Sequence, residues 1–345
     1  MFQFLSCSEL PTSLKIEAVL LDSFGRQISD LRISVTDRCN FKCFYCKSFK
    51  SLGYADRDRI LTYEELERVV RIFARLGITK VRITGGEPMV RKQLEDLIGR
   101  LSRIPGVKDL ALTTNGFSLY KKARILSENG LHRVTISLDS LKPERFQQIT
   151  GSRDFEKVLM SIDAAVSEGL DPVKINCVVV RDVNDDEVVD FADFARRLDV
   201  TVRFIEFMPL DEDEKWNRDR VVTGAEILER LQKKYRLVPR GASSPSATAR
   251  NFDFAEGKGR IGLIMPVSRP FCGECSRIRL TADGQLRTCL FSLVEHDLKG
   301  LLRRGADDRE LEEFIVTTVK KKEAGHRINQ PDFVAPSRSM SYIGG

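Results

Sequence analysis

Between residues 31 and 208, short β-branched runs alternate with segments of helical periodicity, and this alternation constrains the fold most strongly. Strands that alternate with helices pair in parallel, because each crossover helix returns the chain to the same end of the sheet. We expect an α/β fold with six β-α units, too few for a complete eight-stranded barrel. The pattern alone does not separate an open sheet from a partial barrel. The predicted strands are Leu31–Val35, Val81–Thr84, Leu110–Thr114, Val134–Leu138, Val173–Val180 and Val202–Phe207.

The clearest helix signal follows the first of these strands. Thr62 and Glu65 match a capping box, and Gly77 is a typical helix stop, so we expect a helix between Thr62 and Gly77. A second helix is expected over about 223–235, followed by an exposed, Ser- and Ala-rich loop at 241–250.

A hairpin is predicted late in the chain. Asp283-Gly284 is a turn signal between the strand candidates Arg277–Thr281 and Gln285–Leu290. Two helices and a tail that ends in Gly344-Gly345 follow. We divide the chain into an N-terminal extension (1–30), a core (31–222) and a smaller C-terminal region (223–345).

Composition and charge narrow the class of protein. The net charge is +6, from 56 basic and 50 acidic residues, which is a small excess for 345 residues. That excess fits an anionic small ligand at least as well as nucleic acid, and no basic run resembles a nucleic-acid-binding arm. No apolar run is long enough to span a membrane, and the first residues lack a signal-peptide pattern. We expect a cytoplasmic protein that binds neither membrane nor nucleic acid.

Six of the eight cysteines fall in two tight groups, which indicates metal binding rather than disulfides. The first group is Cys39, Cys43 and Cys46, spaced C-x3-C-x2-C directly after the first predicted strand. Three thiolates can hold three corners of a cubane iron–sulfur cluster and leave one iron open. Structural zinc is the alternative, but it needs a fourth ligand, which would have to come from the second group.

The second group is Cys272, Cys275 and Cys289, spaced C-x2-C-x13-C. The predicted hairpin returns Cys289 to the side of Cys275, so a second three-ligand cluster is favoured and a mixed zinc site is the alternative. Arg277 and Arg279 lie two apart on a strand and share a face, where their guanidinium groups could bind phosphate. Taken alone, such a pair is more often a solvated strand face.

The first cysteine group, together with Gly85-Gly86-Glu87-Pro88 after the second strand, resembles the radical S-adenosylmethionine (SAM) superfamily. The resemblance implies a partial (β/α)6 barrel, with SAM at the open iron of a [4Fe-4S] cluster. It implies that the Gly-Gly-Glu-Pro turn binds the SAM amino group: glycines allow close backbone approach, and the carboxylate of Glu87 attracts the ammonium. Cleavage of SAM then yields a 5′-deoxyadenosyl radical.

With the second cysteine group, the resemblance narrows to the GTP 3′,8-cyclase family of molybdenum cofactor biosynthesis (MoaA), from Leu31 to Gly345. It implies a radical SAM barrel with a C-terminal region that carries a second [4Fe-4S] cluster. Lys47-Ser48-Phe49 departs from the family's usual small or apolar residue followed by proline. The matching stretches are 31–40, 81–88, 112–116, 136–139, 203–209 and 271–291.

The resemblance also implies roles for individual residues. Taken singly, Thr113 and Ser137 are ordinary strand-end residues, Met208 could serve packing only and Lys174 could be solvated. The cluster ligands implied are Cys39, Cys43, Cys46, Cys272, Cys275 and Cys289, of which the first three, with Arg277 and Arg279, count as catalytic. The SAM contacts implied are Tyr45, Gly85, Gly86, Glu87, Ser137 and Met208. The GTP contacts implied are Arg32, Arg82, Thr113, Lys174, Arg277, Ile278 (through its backbone) and Arg279.

The reaction implied is hydrogen abstraction from the ribose C3′ of GTP and attack of C3′ on C8, giving 3′,8-cyclo-7,8-dihydroguanosine 5′-triphosphate. The partners implied are an electron donor such as flavodoxin or ferredoxin, cyclic pyranopterin monophosphate synthase for the product, and a second copy in a homodimer. The Gly344-Gly345 tail would reach the active site, whereas a terminal Gly-Gly is otherwise expected to be disordered. A peptide-modifying maturase with two clusters and a zinc-stabilised binding module are the competing hypotheses.

Overall fold

The computed structural model describes residues 19–46, 56–210, 216–242 and 244–344. Cys7, most of the N-terminal extension, Lys47-Ser48-Phe49 and Gly345 lie outside these ranges. The strands are β1 (Asp30–Ser34), β2 (Lys80–Thr84), β3 (Asp109–Thr114), β4 (Arg133–Ser137), β5 (Lys174–Val179), β6 (Thr201–Glu206), β7 (Leu237–Arg240), β8 (Arg250–Phe254), β9 (Arg260–Ile264), β10 (Arg277–Leu280), β11 (Gln285–Arg287) and β12 (His296–Asp297).

Helices cover the outer side of this sheet. The α-helices are α1 (Tyr63–Arg75), α2 (Leu94–Ser102), α3 (Ala123–Glu128), α4 (Pro143–Thr150), α5 (Phe155–Ser167), α6 (Val188–Leu198), α7 (Gly224–Gln232), α8 (Leu298–Arg303), α9 (Asp308–Lys320) and α10 (Met340–Ile343). Within the described ranges, no helix is both long and apolar enough to cross a membrane.

The prediction of six parallel strands is confirmed, and each predicted strand matches an observed one to within two residues at either end. The six strands pair in parallel in chain order, from β1 to β6. The predicted hairpin is also confirmed, as β10 pairs antiparallel with β11. Residues 241, 242 and 244–249 lie outside helices and strands, as expected, but 244 and 246–249 are only partly exposed because they line a cavity.

Helix α1 follows from its local sequence. The Thr62 hydroxyl accepts a hydrogen bond from the Glu65 backbone, and the Glu65 carboxylate accepts one from the Thr62 backbone at 2.7 Å. This reciprocal cap satisfies two backbone donors that a helix start leaves unpaired. Helix α7 uses the same arrangement with Thr223 and Glu226.

The C-terminal region extends the sheet at both edges. Strand β10 pairs in parallel with β1, and β9 pairs in parallel with β6, so eight neighbouring strands are parallel. Glu206, at the end of β6, is buried and binds the backbone amides of Gly224, Val267 and Ser268 at 2.8–2.9 Å. Glu206 thereby joins the region that carries the second cysteine group to the parallel strands that follow the first cysteine group.

The two faces of the parallel strands have different partners. On each strand, apolar side chains such as Leu31, Ile33, Val81 and Ile83 are fully buried in the main hydrophobic core. The residues between them, mostly polar, line a cavity on the other face of the sheet. Because side chains alternate along a strand, one sequence supplies both the core and the cavity wall.

Candidate active site

A cavity of about 420 Å³ gathers the predicted site residues from both halves of the chain. All of them line it except Glu87 and Ile278, which are 2% and 1% exposed. The two cysteine groups, separated by more than 200 residues in the sequence, therefore face one cavity. The predicted residues in its wall are Arg32, Cys39, Cys43, Tyr45, Cys46, Arg82, Gly85, Gly86, Thr113, Ser137, Lys174, Met208, Cys272, Cys275, Arg277, Arg279 and Cys289.

The Gly-Gly-Glu-Pro turn packs against the loop that leads to the first cysteine. The Gly86 amide donates to the Thr36 carbonyl, and the Glu87 amide donates to the Arg38 carbonyl, both at 2.7 Å. A Cβ on Gly86 would lie 2.5 Å from the Arg38 oxygen, so a larger residue would force the two loops apart. The glycines thus allow backbone to approach backbone, in addition to any role toward a ligand.

The Glu87 carboxylate points away from the cavity. Its oxygens accept hydrogen bonds from the Thr114 hydroxyl (2.7 Å), the Asn115 amide (2.6 Å) and the Met89 amide (3.0 Å). Burial raises the pKa of Glu87 to about 7, although these donors act in the opposite direction. The carboxylate ties the turn to the end of β3, and a contact between Glu87 and the SAM ammonium stays a prediction.

Two further side chains position the first cysteine loop. The Tyr45 hydroxyl donates to Asp139 Oδ2 at 2.5 Å, while Asp139 Oδ1 accepts from the Val178 amide at 2.8 Å. Burial raises the pKa of Asp139 to about 6. Asn115 donates to the Asn40 side chain at 2.9 Å, next to Cys39. The loop is therefore held from the ends of β3 and β4.

Cationic side chains crowd the wall of the cavity between the cysteine groups. Arg82 donates to Thr113 and Thr135 at 3.2 and 3.3 Å, and no carboxylate among the described residues forms an ion pair with it. Burial, followed by the nearby charges of Arg133 and Arg32, lowers the pKa of Arg82 to about 9. Burial and neighbouring arginines likewise lower the pKa of Lys174 to about 7. Such crowding of like charges is favourable only when an anion is bound.

Several polar atoms in this wall have no partner in the protein. The buried Nε atoms of Arg32 and Arg203 and the buried Oδ1 of Asn176 make no hydrogen bond within the described residues. Buried donors and acceptors without partners cost free energy, so their presence indicates that a bound ligand completes the site.

The second cysteine group lies at the open end of the hairpin. Arg277 donates to Cys275 Sγ at 3.3 Å, so its guanidinium contacts a thiol as well as the cavity. Burial on its own would raise the pKa of Cys275, but the charges of Arg277 and Lys322 bring that pKa down to about 7. The electrostatics therefore favour the thiolate, the form that binds metal.

The end of the chain enters the same site. The Arg279 guanidinium donates to the Gly344 carbonyl, and Gly344 packs against Thr84 and Ser34 at the ends of β2 and β1. A side chain on Gly344 would collide with the Thr84 hydroxyl. Gly344 thus lies at the ends of β1 and β2, where Arg279 holds its carbonyl.

Within the described ranges, no three His, Cys, Asp or Glu side chains converge as ligands of a single metal ion. A structural zinc ion requires such convergence. In a cubane cluster each thiolate binds its own iron, and sulfide separates the irons. Each cysteine group offers three thiols at the cavity, which fits three irons of a [4Fe-4S] cluster and one open position.

Comparison with known proteins agrees with this geometry. The sequence matches the family described as the radical SAM superfamily over residues 33–195 and the family described as molybdenum cofactor synthesis C over residues 200–328. GTP 3′,8-cyclase from Rhodopirellula baltica is 43% identical over 97% of this chain and 94% of its own length. The mitochondrial GTP 3′,8-cyclase of Arabidopsis thaliana is 40% identical over 96% of this chain and 84% of its own length.

The chain belongs to the GTP 3′,8-cyclase family. It is therefore a radical SAM enzyme, and the prediction of two [4Fe-4S] clusters with SAM is confirmed at the level of the family. The crystal structure of Streptococcus suis SuiB bound to S-adenosylmethionine superimposes with a TM-score of 0.62 and 14% identity, over 94% of this chain and 77% of SuiB. That likeness supports the fold alone.

Sequence reasoning missed several residues of this GTP 3′,8-cyclase cavity. Arg133 and Arg203 lie on β4 and β6, on the same face as Ser137 and Lys174, and line the wall. Asp139 and Asn115 lie in stretches that match the family, but no chemistry was assigned to them. The alternation of side chains along each strand was the available signal: Val202 and Phe204 face the core, so Arg203 between them faces the cavity.

Proposed function

We propose that this chain converts GTP to 3′,8-cyclo-7,8-dihydroguanosine 5′-triphosphate in the first step of molybdenum cofactor biosynthesis. The main support for this proposal is that both cysteine groups and a row of cationic side chains face one cavity. The first group is suited to hold the cluster that cleaves SAM. The second group is suited to hold a cluster whose open iron binds the purine, and the cations between them suit a triphosphate.

These positions support the following residue roles. SAM bound at the first cluster supplies the radical that removes hydrogen from C3′ of the ribose. Cys39, Cys43 and Cys46 hold that cluster, with Tyr45 and Asp139 fixing their loop. Gly85, Gly86, Ser137 and Met208 form the SAM side of the cavity, while Glu87 orients the turn from behind.

The GTP side is formed by the cations and the second cysteine group. Arg32, Arg82 and Lys174 bind the triphosphate, and Thr113 supports Arg82 through its hydroxyl. Ile278, whose side chain is buried, is assigned a backbone contact only. Arg279 links the substrate to the Gly344 carbonyl, so Gly344 helps to hold the Arg279 guanidinium at the substrate.

Several wider assignments belong to the same proposal. Two electrons per turnover come from a donor such as flavodoxin or ferredoxin: one cleaves SAM, and the other, with a proton, reduces the radical that remains after C3′ attacks C8. The product passes to cyclic pyranopterin monophosphate synthase. We also propose a cytoplasmic homodimer and a division of the chain into residues 1–30, 31–222 and 223–345. The resemblance supports these assignments, and continuity of the sheet from β6 to β9 argues that the two larger parts fold together.

An anaerobic assay tests the reaction. Reconstituted protein is incubated with SAM and dithionite, with GTP, with ATP or with no nucleotide, and 5′-deoxyadenosine and cyclised nucleotide are quantified. We expect cyclised product with GTP only. The control variant is Cys177→Ala, because Cys177 is buried in the core and belongs to neither cysteine group. This variant should form the cyclised product as the wild type does. SAM cleavage that leaves GTP intact in the wild type would refute the assignment of GTP as substrate.

A further inference from the structure

Three consecutive lysines follow one another at the end of α9, and they have different environments. Lys320 and Lys321 are exposed, whereas Lys322 is 4% exposed and lines the cavity. Lysine is rarely buried unless a partner compensates its charge. The contacts of Lys322 therefore indicate what its ammonium group serves.

The ammonium group bridges the two ends of the hairpin. Lys322 Nζ donates to the Arg277 carbonyl at 2.9 Å and to the Thr288 carbonyl. Arg277 is two residues beyond Cys275, and Thr288 immediately precedes Cys289. Lys322 thus fixes the separation of the strand ends from which these two cysteines project.

No acidic side chain balances this charge. Within the part of the chain that the structure describes, no carboxylate lies within ion-pairing distance of Lys322. The two carbonyls are neutral, and burial of an uncompensated ammonium is costly. The positive charge of Lys322 acts instead on Cys275 and Cys289, the two cysteines that the hairpin carries.

We propose that Lys322 is a positioning residue for the second cluster: its buried positive charge offsets the negative charge of the cluster and raises its reduction potential. The inference rests on the proposed function, because it takes Cys272, Cys275 and Cys289 as the ligands. A reduced cluster carries one more negative charge than an oxidised cluster. A fixed cation nearby therefore stabilises the reduced form more.

The neighbouring segment supports this arrangement independently. Arg26 is buried and donates to the carbonyls of Cys272 and Ala324, both at 2.8 Å, and Gly325 packs on Cys272. The Thr288 hydroxyl donates to the Glu323 carboxylate at 2.7 Å. Residues 322–325 therefore contact all three parts of the second cysteine group, and Lys322 brings the charge.

The test uses full-length protein in which Cys39, Cys43 and Cys46 are replaced by alanine, so that only the second cluster assembles. Iron content and the redox-dependent electron paramagnetic resonance signal are measured for Lys322→Gln, Lys322→Arg and Lys321→Gln. We expect Lys322→Gln to lower the ratio of reduced to oxidised cluster at a fixed potential about tenfold, which is ~59 mV for one electron. Lys322→Arg and Lys321→Gln should keep the parent ratio.

Each outcome bears on one of the two assignments. If the parent protein binds no iron, the ligand set and hence the proposed function fail. If Lys322→Gln loses the cluster and Lys322→Arg keeps it, the charge is required for assembly and the inference stands. An unchanged ratio of reduced to oxidised cluster in Lys322→Gln overturns the inference. Loss of the cluster in both Lys322 variants also overturns it, because Lys322 would then serve packing and not charge.

Discussion

Lys174 should make GTP binding dependent on pH in a direction that the structure determines. The residue begins β5 and lines the cavity near Arg203, Arg133 and Arg82. Burial, followed by these arginines, lowers the pKa of Lys174 to about 7 in the protein without ligand. At pH 8 such a group is only about one-tenth protonated.

A bound triphosphate reverses this shift. Its negative charge favours the ammonium form and returns the pKa toward the ordinary value of about 10.4, so binding at pH 8 takes up roughly 0.9 proton. The dissociation constant for GTP should then rise by up to about tenfold per pH unit between pH 7.5 and 8.5. The second ionisation of a phosphate group, near pH 6, lies below this window.

The same shift has the opposite consequence for the protein without ligand. Between the folded pKa of about 7 and the unfolded value of 10.5, the unfolded chain binds more protons at Lys174. The contribution of Lys174 to the free energy of unfolding therefore increases with pH across this window. Rising pH should stabilise the free enzyme at this residue while it weakens GTP binding.

Anaerobic isothermal titration calorimetry of the reconstituted enzyme, in buffers of different ionisation enthalpy, measures the proton uptake directly. Lys174→Arg remains charged, so it should bind GTP with little proton uptake at pH 8. Lys157→Arg, at a partly exposed position outside the cavity, should behave as the wild type. Equal binding at pH 7.5 and 8.5 in the wild type, or uptake that persists in Lys174→Arg, would refute the reasoning.

Four further predictions concern single substitutions. Cys43→Ala should abolish formation of 5′-deoxyadenosine and keep the second cluster, and residual SAM cleavage would contradict its role as a ligand. Arg277→Ala should lower GTP turnover and leave slow, uncoupled SAM cleavage, whereas normal turnover would exclude its role at the substrate. Glu206→Gln replaces an acceptor of several buried hydrogen bonds and should lower the free energy of unfolding by about 3 kcal/mol, as measured by urea denaturation; a loss below about 1 kcal/mol would contradict this. Gly344→Val should displace the terminus from the strand ends and lower product formation at least ~10-fold with unchanged iron content, while wild-type product formation would show that the terminus is dispensable.

The elements and the ligand sets could be predicted from the sequence because their signals are local. The capping box of α1 involves residues three apart, and the hairpin follows from a turn at Asp283-Gly284. The spacing of Cys39, Cys43 and Cys46 likewise places three thiols within one loop. Such patterns depend on backbone geometry over a few residues, so they can be read without knowledge of distant contacts.

The composition of the cavity depended on contacts between distant segments. The direction of the Glu87 carboxylate was set by Thr114 and Asn115, which offer hydrogen-bond donors behind the turn. Lys322 is buried and Lys321 is exposed, because the Lys322 ammonium group donates to the carbonyls of Arg277 and Thr288. The contacts of Glu87 and Lys322 come from distant segments, so no pattern in the sequence around either residue predicts them.

The sequence by itself determined a parallel α/β fold, two three-cysteine groups and the family to which the chain belongs. Only the tertiary structure decided that β9 and β10 join opposite edges of the six-stranded sheet and bring both cysteine groups to one cavity. The physical reason is that strand pairing uses backbone hydrogen bonds, which are the same for every sequence. The choice of neighbour is therefore made by the packing of side chains from the whole chain.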